Sequence, residues 1–216
     1  MTSKIAITDL LTLDLSDYSL KKNKLINYGY KLIEIKSLYN KECNIYVNEE
    51  HKTIFIISAP MNNILSNQLL HVDKSTSHEK LELLKHLLQY VKKREKEFDK
   101  IIENVKECFP KNNYKYVYVA LSIGSYLVTN HFEKEDVVYL VNPFLTPAQV
   151  FCDKFKNNPN YTIFRCDGDI VSTFVELNNK LNVKEISLSI ENEKAIVSQE
   201  KIHDSRNFKN TFIYLP

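Results

Sequence analysis

The chain has 216 residues, of which 44% are apolar and 26% charged, with a formal net charge of +2. A balance of 29 basic against 27 acidic residues argues against a nucleic-acid binder, which normally carries a marked basic excess. Length and composition fit one globular domain with a substantial core, and 1–216 is read as such a unit.

At the N-terminus, Asp9, Asp14 and Asp17 break the apolar positions, so no signal peptide is expected. No run approaches the roughly 20 apolar residues of a membrane helix. Cys43, Cys108, Cys152 and Cys166 are widely spaced without a CxxC pair, which argues against a metal site or a disulfide framework. An intracellular, reduced setting is the default expectation.

Helical spacing runs through Ser3–Leu38, with a break expected at Gly29. Glu42–Val47 and Lys52–Ser58 read as two strands joined by a short turn at Asn48–His51. The second is apolar almost throughout and is therefore expected to be central, covered on both faces. Residues 61–78 are long and irregular; they are read as a lid or a surface loop. Glu79–Phe109 carries one apolar stripe, interrupted by the charge run Lys92–Glu97. That pattern predicts either one helix projecting past the core or two helices, with the charges solvated.

The next stretch organises the rest. Tyr114–Ala120 is a β-branched and aromatic strand, Leu121–Gly124 a tight turn, and a short helix then leads to a second strand, Val137–Val141. Strand, turn with a serine, helix, strand is the sequence form of a nucleophile elbow, with Ser122 as nucleophile. Positions two before and two after such a serine approach closely and must be small; here they are Ala120 and Gly124. The chain has only 3 glycines, so each is expected where few other residues fit.

Beyond the elbow, Pro147–Lys156 reads as a short helix, Tyr161–Cys166 as a strand and Ile170–Leu181 as a helix. Glu185–Ile190 and Ala195–Gln199 read as a hairpin, and Thr211–Leu215 as a terminal strand. Alternating strands and helices predict an α/β fold with a mostly parallel central sheet covered by helices.

A serine nucleophile needs a base, and the base an orienting acid. Only His131 and His203 follow Ser122, and His131 falls at the far end of the elbow helix, which leaves His203. The acid belongs at a strand end after the elbow, where Asp167 and Asp169 flank Gly168; Asp169, leading into Ile170–Val171, is the better placed.

At these residues the chain resembles the class 3 lipase family, the fungal-type triacylglycerol lipases and their phospholipase relatives, as a divergent member. Ala120–Ser125 (ALSIGS) stands where the family has G-H-S-L-G-G, and Asp169-Ile170-Val171 matches its D-x-V strand end. Val138–Pro143 is similar to its F-G-x-P strand, and His203, Ser205 and Phe208 to its terminal histidine segment. The resemblance implies an α/β-hydrolase domain. It also implies a serine ester hydrolase acting on lipid or other carboxylic esters through Ser122, Asp169 and His203. No metal or other cofactor is implied; the partners would be a lipid or small ester and, transiently, a membrane surface. The oxyanion would be held by the amide of Ile123 with that of Met61 or Asn62, and 61–78 would be an acyl-chain wall or lid. The family's Arg-Gly-Thr turn is here Ala59-Pro60-Met61, and the proline has no N–H to give. That departure motivates the alternative, a catalytically impaired hydrolase fold that binds lipid or serves as a structural or interaction partner.

Overall fold

A chain segment of alternating branched and aromatic residues has two apolar faces, and both must be covered. The computed structural model, which describes residues 3–11, 24–33, 43–59, 77–187, 202–203 and 205–215, meets that demand with a seven-stranded sheet. Its strands are β2 (Lys31–Ile33), β3 (Cys43–Asn48), β4 (Thr53–Ser58), β5 (Lys115–Leu121), β6 (Val137–Val141), β7 (Tyr161–Cys166) and β8 (Val183–Ile186). They lie side by side in chain order. β2, β3 and β4 pair antiparallel, and β4 through β8 pair parallel. The expected mostly parallel α/β sheet is thus present, and β4 is central and buried at every residue, as its continuous apolar run requires.

Strand order carries a consequence for the two faces. Parallel crossovers are almost always right-handed, so a sheet whose strands follow one another in sequence sends its crossovers to one side. That side holds α2 (Ser77–Cys108), α3 (Gly124–Thr129), α4 (Pro147–Val150) and α5 (Asp153–Asn157). Their apolar residues, such as Leu87, Ile102, Leu127, Val150 and Phe155, form one core with Ile54, Ile56, Tyr116, Tyr118 and Leu140. The other face (Phe55, Ile57, Val117, Val119, Val141 and Phe164) is covered, among the described residues, by segments from the two ends of the chain. These include α1 (Ile7–Leu11) with Ile7, Leu10 and Leu11, and the stretch containing Ile202, Phe208, Ile213 and Leu215. β1 (Lys4–Ala6) and β9 (Phe212–Tyr214) join those ends in an antiparallel two-stranded ribbon, Lys4 opposite Tyr214.

Several expectations need correction. Among its described residues, the N-terminal stretch holds β1, the short α1, a 3₁₀ turn at Lys24–Tyr28 and β2 rather than the expected one or two helices on a sheet edge. Pairing with β9 and β3 overrode the helical spacing there. The break at Gly29 is real, with φ at 81°. The expected helix at Ile170–Leu181 is only a 3₁₀ turn, Thr173–Leu177. Pro147–Lys156 divides into α4 and α5. The long stripe forms a single helix, α2. Its charge run is not wholly solvated: Glu95 accepts from Asn130 at 2.8 Å, just past α3. The lid reading of 61–78 falls almost wholly outside the described residues, as does the second arm of the 185–199 hairpin.

Candidate active site

β5 delivers Ser122 at its C-terminal end, at a point where the chain must reverse into α3 without a connecting loop. It does so by placing Ser122 at φ 54°, in the left-handed region. Three backbone hydrogen bonds hold the turn. Ser122 N–H donates to Val141 O at 3.0 Å, and Ser122 O accepts from Ser125 N–H and Phe144 N–H, each at 3.0 Å. Gly124 opens α3 and is buried there, although its φ is not positive. Glycine's left-handed freedom is used instead at Gly168, φ 72°, in the turn after β7.

That turn positions Asp169, the candidate acid. Asp167 is exposed, while Asp169 is 1% exposed and turned inward. Its carboxylate accepts from Val171 N–H at 3.1 Å, from the Ser172 hydroxyl at 2.7 Å, and from His203 Nδ1 at 3.1 and 3.2 Å. A carboxylate can only accept, so Nδ1 carries a proton; in the neutral ring Nε2 is then left with its lone pair. His203 is 8% exposed, and its Nε2 has no hydrogen-bond partner among the described residues. Ser122, 4% exposed, likewise has an Oγ that is buried and unpartnered. Asp169 and His203 are therefore in contact; the hydrogen bond from Ser122 to His203 is not formed. His131 is elsewhere, as expected, with its Nε2 2.8 Å from Asp99 of α2. Ile123 is fully buried beside Ser122, whereas Met61 and Asn62 lie outside the described residues. Among the described residues no group of His, Cys, Asp and Glu could hold a metal ion, and no helix is long and apolar enough to cross a membrane.

Solved fungal lipases are similar to this chain. Lipase II from Rhizopus niveus aligns with a TM-score of 0.48 at 13% identity, over 79% of this chain and 77% of that one. The Rhizomucor miehei lipase–propeptide complex gives 0.43 at 14%, over 77% of this chain, which spans only 61% of that one. A mutant form of MDLA from Penicillium cyclopium gives 0.43 at 12%, over 90% and 81%. No protein-family model matches the chain, and no curated protein does. At such identities and scores the likeness decides nothing about chemistry, which has to come from the site's own atoms.

The sequence did not single out Asn142 as more than a strand end. It is fully buried at φ 41°, and both ends of its amide are engaged: Oδ1 accepts from Cys166 N–H at 2.8 Å, and Nδ2 donates to Ile202 O at 3.3 Å. Ser172 was missed as well, although a hydroxyl three residues after a candidate acid is a readable signal. Nothing in the sequence pointed to Asn142 except its place after a fully apolar strand.

Proposed function

We propose that the chain is a serine ester hydrolase acting on lipid or other carboxylic esters. The observation that carries this reading is the His203–Asp169 pair, with Nδ1 bound to the carboxylate and Nε2 unpartnered. A neutral imidazole held in that tautomer is a general base awaiting a proton donor. The unpartnered Ser122 hydroxyl, displayed at a strained strand end, is the donor it awaits. Catalytic hydrogen bonds are often open without substrate and close when it binds.

In the reaction, Ser122 Oγ attacks the acyl carbonyl while Nε2 of His203 takes its proton. Asp169 holds the imidazolium. The tetrahedral intermediate collapses to an acyl-serine as His203 returns the proton to the departing alkoxide. Water, deprotonated by the same nitrogen, then releases the carboxylic acid and restores Ser122. The amide of Ile123, joined by that of Met61 or Asn62, receives the oxyanion. The partners are a lipid or small ester substrate and, transiently, a membrane surface presenting it.

The absent Ser122–His203 hydrogen bond favours one second reading, a hydrolase-fold protein that binds lipid, or a structural partner, without turnover. A fluorophosphonate probe separates the two, because it needs an activated serine and no matching substrate. Labelling of the native chain, lost in Ser122→Ala, is expected. A folded native chain left unlabelled both with and without detergent would establish the second reading.

A further inference from the structure

The three groups of the site come from distant parts of the chain: the end of β5, the turn after β7 and the segment at 202–203. One turn touches all three. At Val141–Asn142–Pro143–Phe144, Val141 O accepts from Ser122 N–H and Phe144 N–H donates to Ser122 O, each at 3.0 Å. Asn142 N–H donates to Phe164 O at 2.8 Å, fixing the turn to β7. Its side chain extends the same grip. Oδ1 takes Cys166 N–H, three residues before Asp169, and Nδ2 gives to Ile202 O, on the residue before His203. The amide's orientation is dictated by its partners, since Cys166 N–H can only donate and Ile202 O can only accept.

From this geometry we infer that Asn142 is the positioning residue of the site, setting the approach of the His203 segment to both Asp169 and Ser122. This inference rests on the hydrolase reading for its kinetic consequence, but not for its structural one. An ordinary tight turn at a strand end would need only its backbone and would be satisfied by glycine at φ 41°. Here a side chain that is fully buried spends its acceptor on the acid's loop and its donor on the base's segment. Asn207 Nδ2 also donates to Ile202 O, at 3.2 Å, and to the Cys166 sulfur on β7 at 3.5 Å, a weaker acceptor than the backbone and amide oxygens that Asn142 joins. Asparagine suits the position because it tolerates the left-handed region better than other non-glycine residues.

Two substitutions isolate the side chain. Asn142→Gly keeps the backbone conformation and removes both bonds. Asn142→Asp keeps an acceptor for Cys166 N–H and turns an oxygen toward Ile202 O. The first readout is the NMR resonance of the His203 Nδ1 proton, which lies far downfield while it is bound to the Asp169 carboxylate; Asp169→Asn supplies the broken reference. The second is the rate of fluorophosphonate labelling across pH. In both variants the Nδ1 resonance is expected to move toward that of Asp169→Asn, and labelling to slow on the order of 10²-fold, the cost of a small misplacement at a reacting centre. A native Nδ1 resonance in either folded variant would overturn the inference. If the native chain is never labelled yet the resonance moves, the hydrolase reading fails and Asn142's role stands.

Discussion

Two costs meet at Ser122. A left-handed φ costs a non-glycine residue roughly 1–2 kcal/mol. A buried hydroxyl without a partner costs about 1–3 kcal/mol more. Ser122→Gly removes both, against an entropic penalty of about 0.4–1 kcal/mol for the added glycine. It is therefore expected to raise the unfolding free energy by about 1–4 kcal/mol, read from the midpoint of a urea titration, while abolishing probe labelling. The acid can be tested in the same way. Ser172→Ala takes away a 2.7 Å donor to the Asp169 carboxylate, and a hydrogen bond to a charged group is worth about 1.5–3 kcal/mol. A loss in that range, with slower labelling, is expected. The Asp169–His203 contact was legible in the sequence because the chemistry sought there prescribes residue types in a fixed chain order. Asn142 was not, because its role comes from Cys166 and Ile202, residues 24 and 60 positions away.

At the scale of elements, α2 shows how a pattern is read and misread. Its buried residues, Leu83, Leu84, Leu87, Val91, Phe98, Ile101, Ile102 and Val105, continue on both sides of the charge run, which is why one helix forms. Ile102→Ala is expected to cost about 2–5 kcal/mol, whereas Lys96→Ala, on the exposed face, should stay within about 0.5 kcal/mol in the same titration. The end of α3 is fastened to this helix through Asn130 and His131. Burial holds the His131 pKa below its ordinary value, with Asp99 opposing. The folded state thus prefers the neutral ring. Its contribution is present above the unfolded pKa of about 6.5 and is lost as pH falls from there through the lower folded pKa. Unfolding free energies at pH 8 and pH 5.5 should accordingly differ less in His131→Gln than in the native chain. The central strands were legible because each is a continuous apolar run closed by a turn. β6 and β7 run over the residues the pattern indicated. The N-terminal segment was not legible, since its 3-residue strands are fixed by partners up to 210 positions away rather than by their own periodicity.

At the scale of the whole molecule, the two faces of the sheet are covered in different ways. The crossover face is built by α2 and its neighbours, each short-range in sequence to a strand it covers. The opposite face depends on the β1–β9 ribbon and on the segments at its two ends. Ile213 is 2% exposed and packs in that core, so Ile213→Ala should cost about 2–5 kcal/mol. Labelling should be lost in this variant at lower urea than in Ile102→Ala of equal stability, because the stretch it loosens also carries His203.

The ribbon has a kinetic meaning as well. Proteins open in cooperative pieces before they unfold as a whole. Here β9 follows the Ile202–Phe208 stretch that carries His203, while Ser122 follows the parallel strand β5 and Asp169 the turn after β7. Amide protons of β1, β9 and the Ile202–Phe208 stretch are expected to exchange with solvent together, ahead of those in β4–β7. On warming, the site would then be dismantled by the departure of its histidine while the serine still sat at its strand end, and cooling would restore it without refolding the sheet.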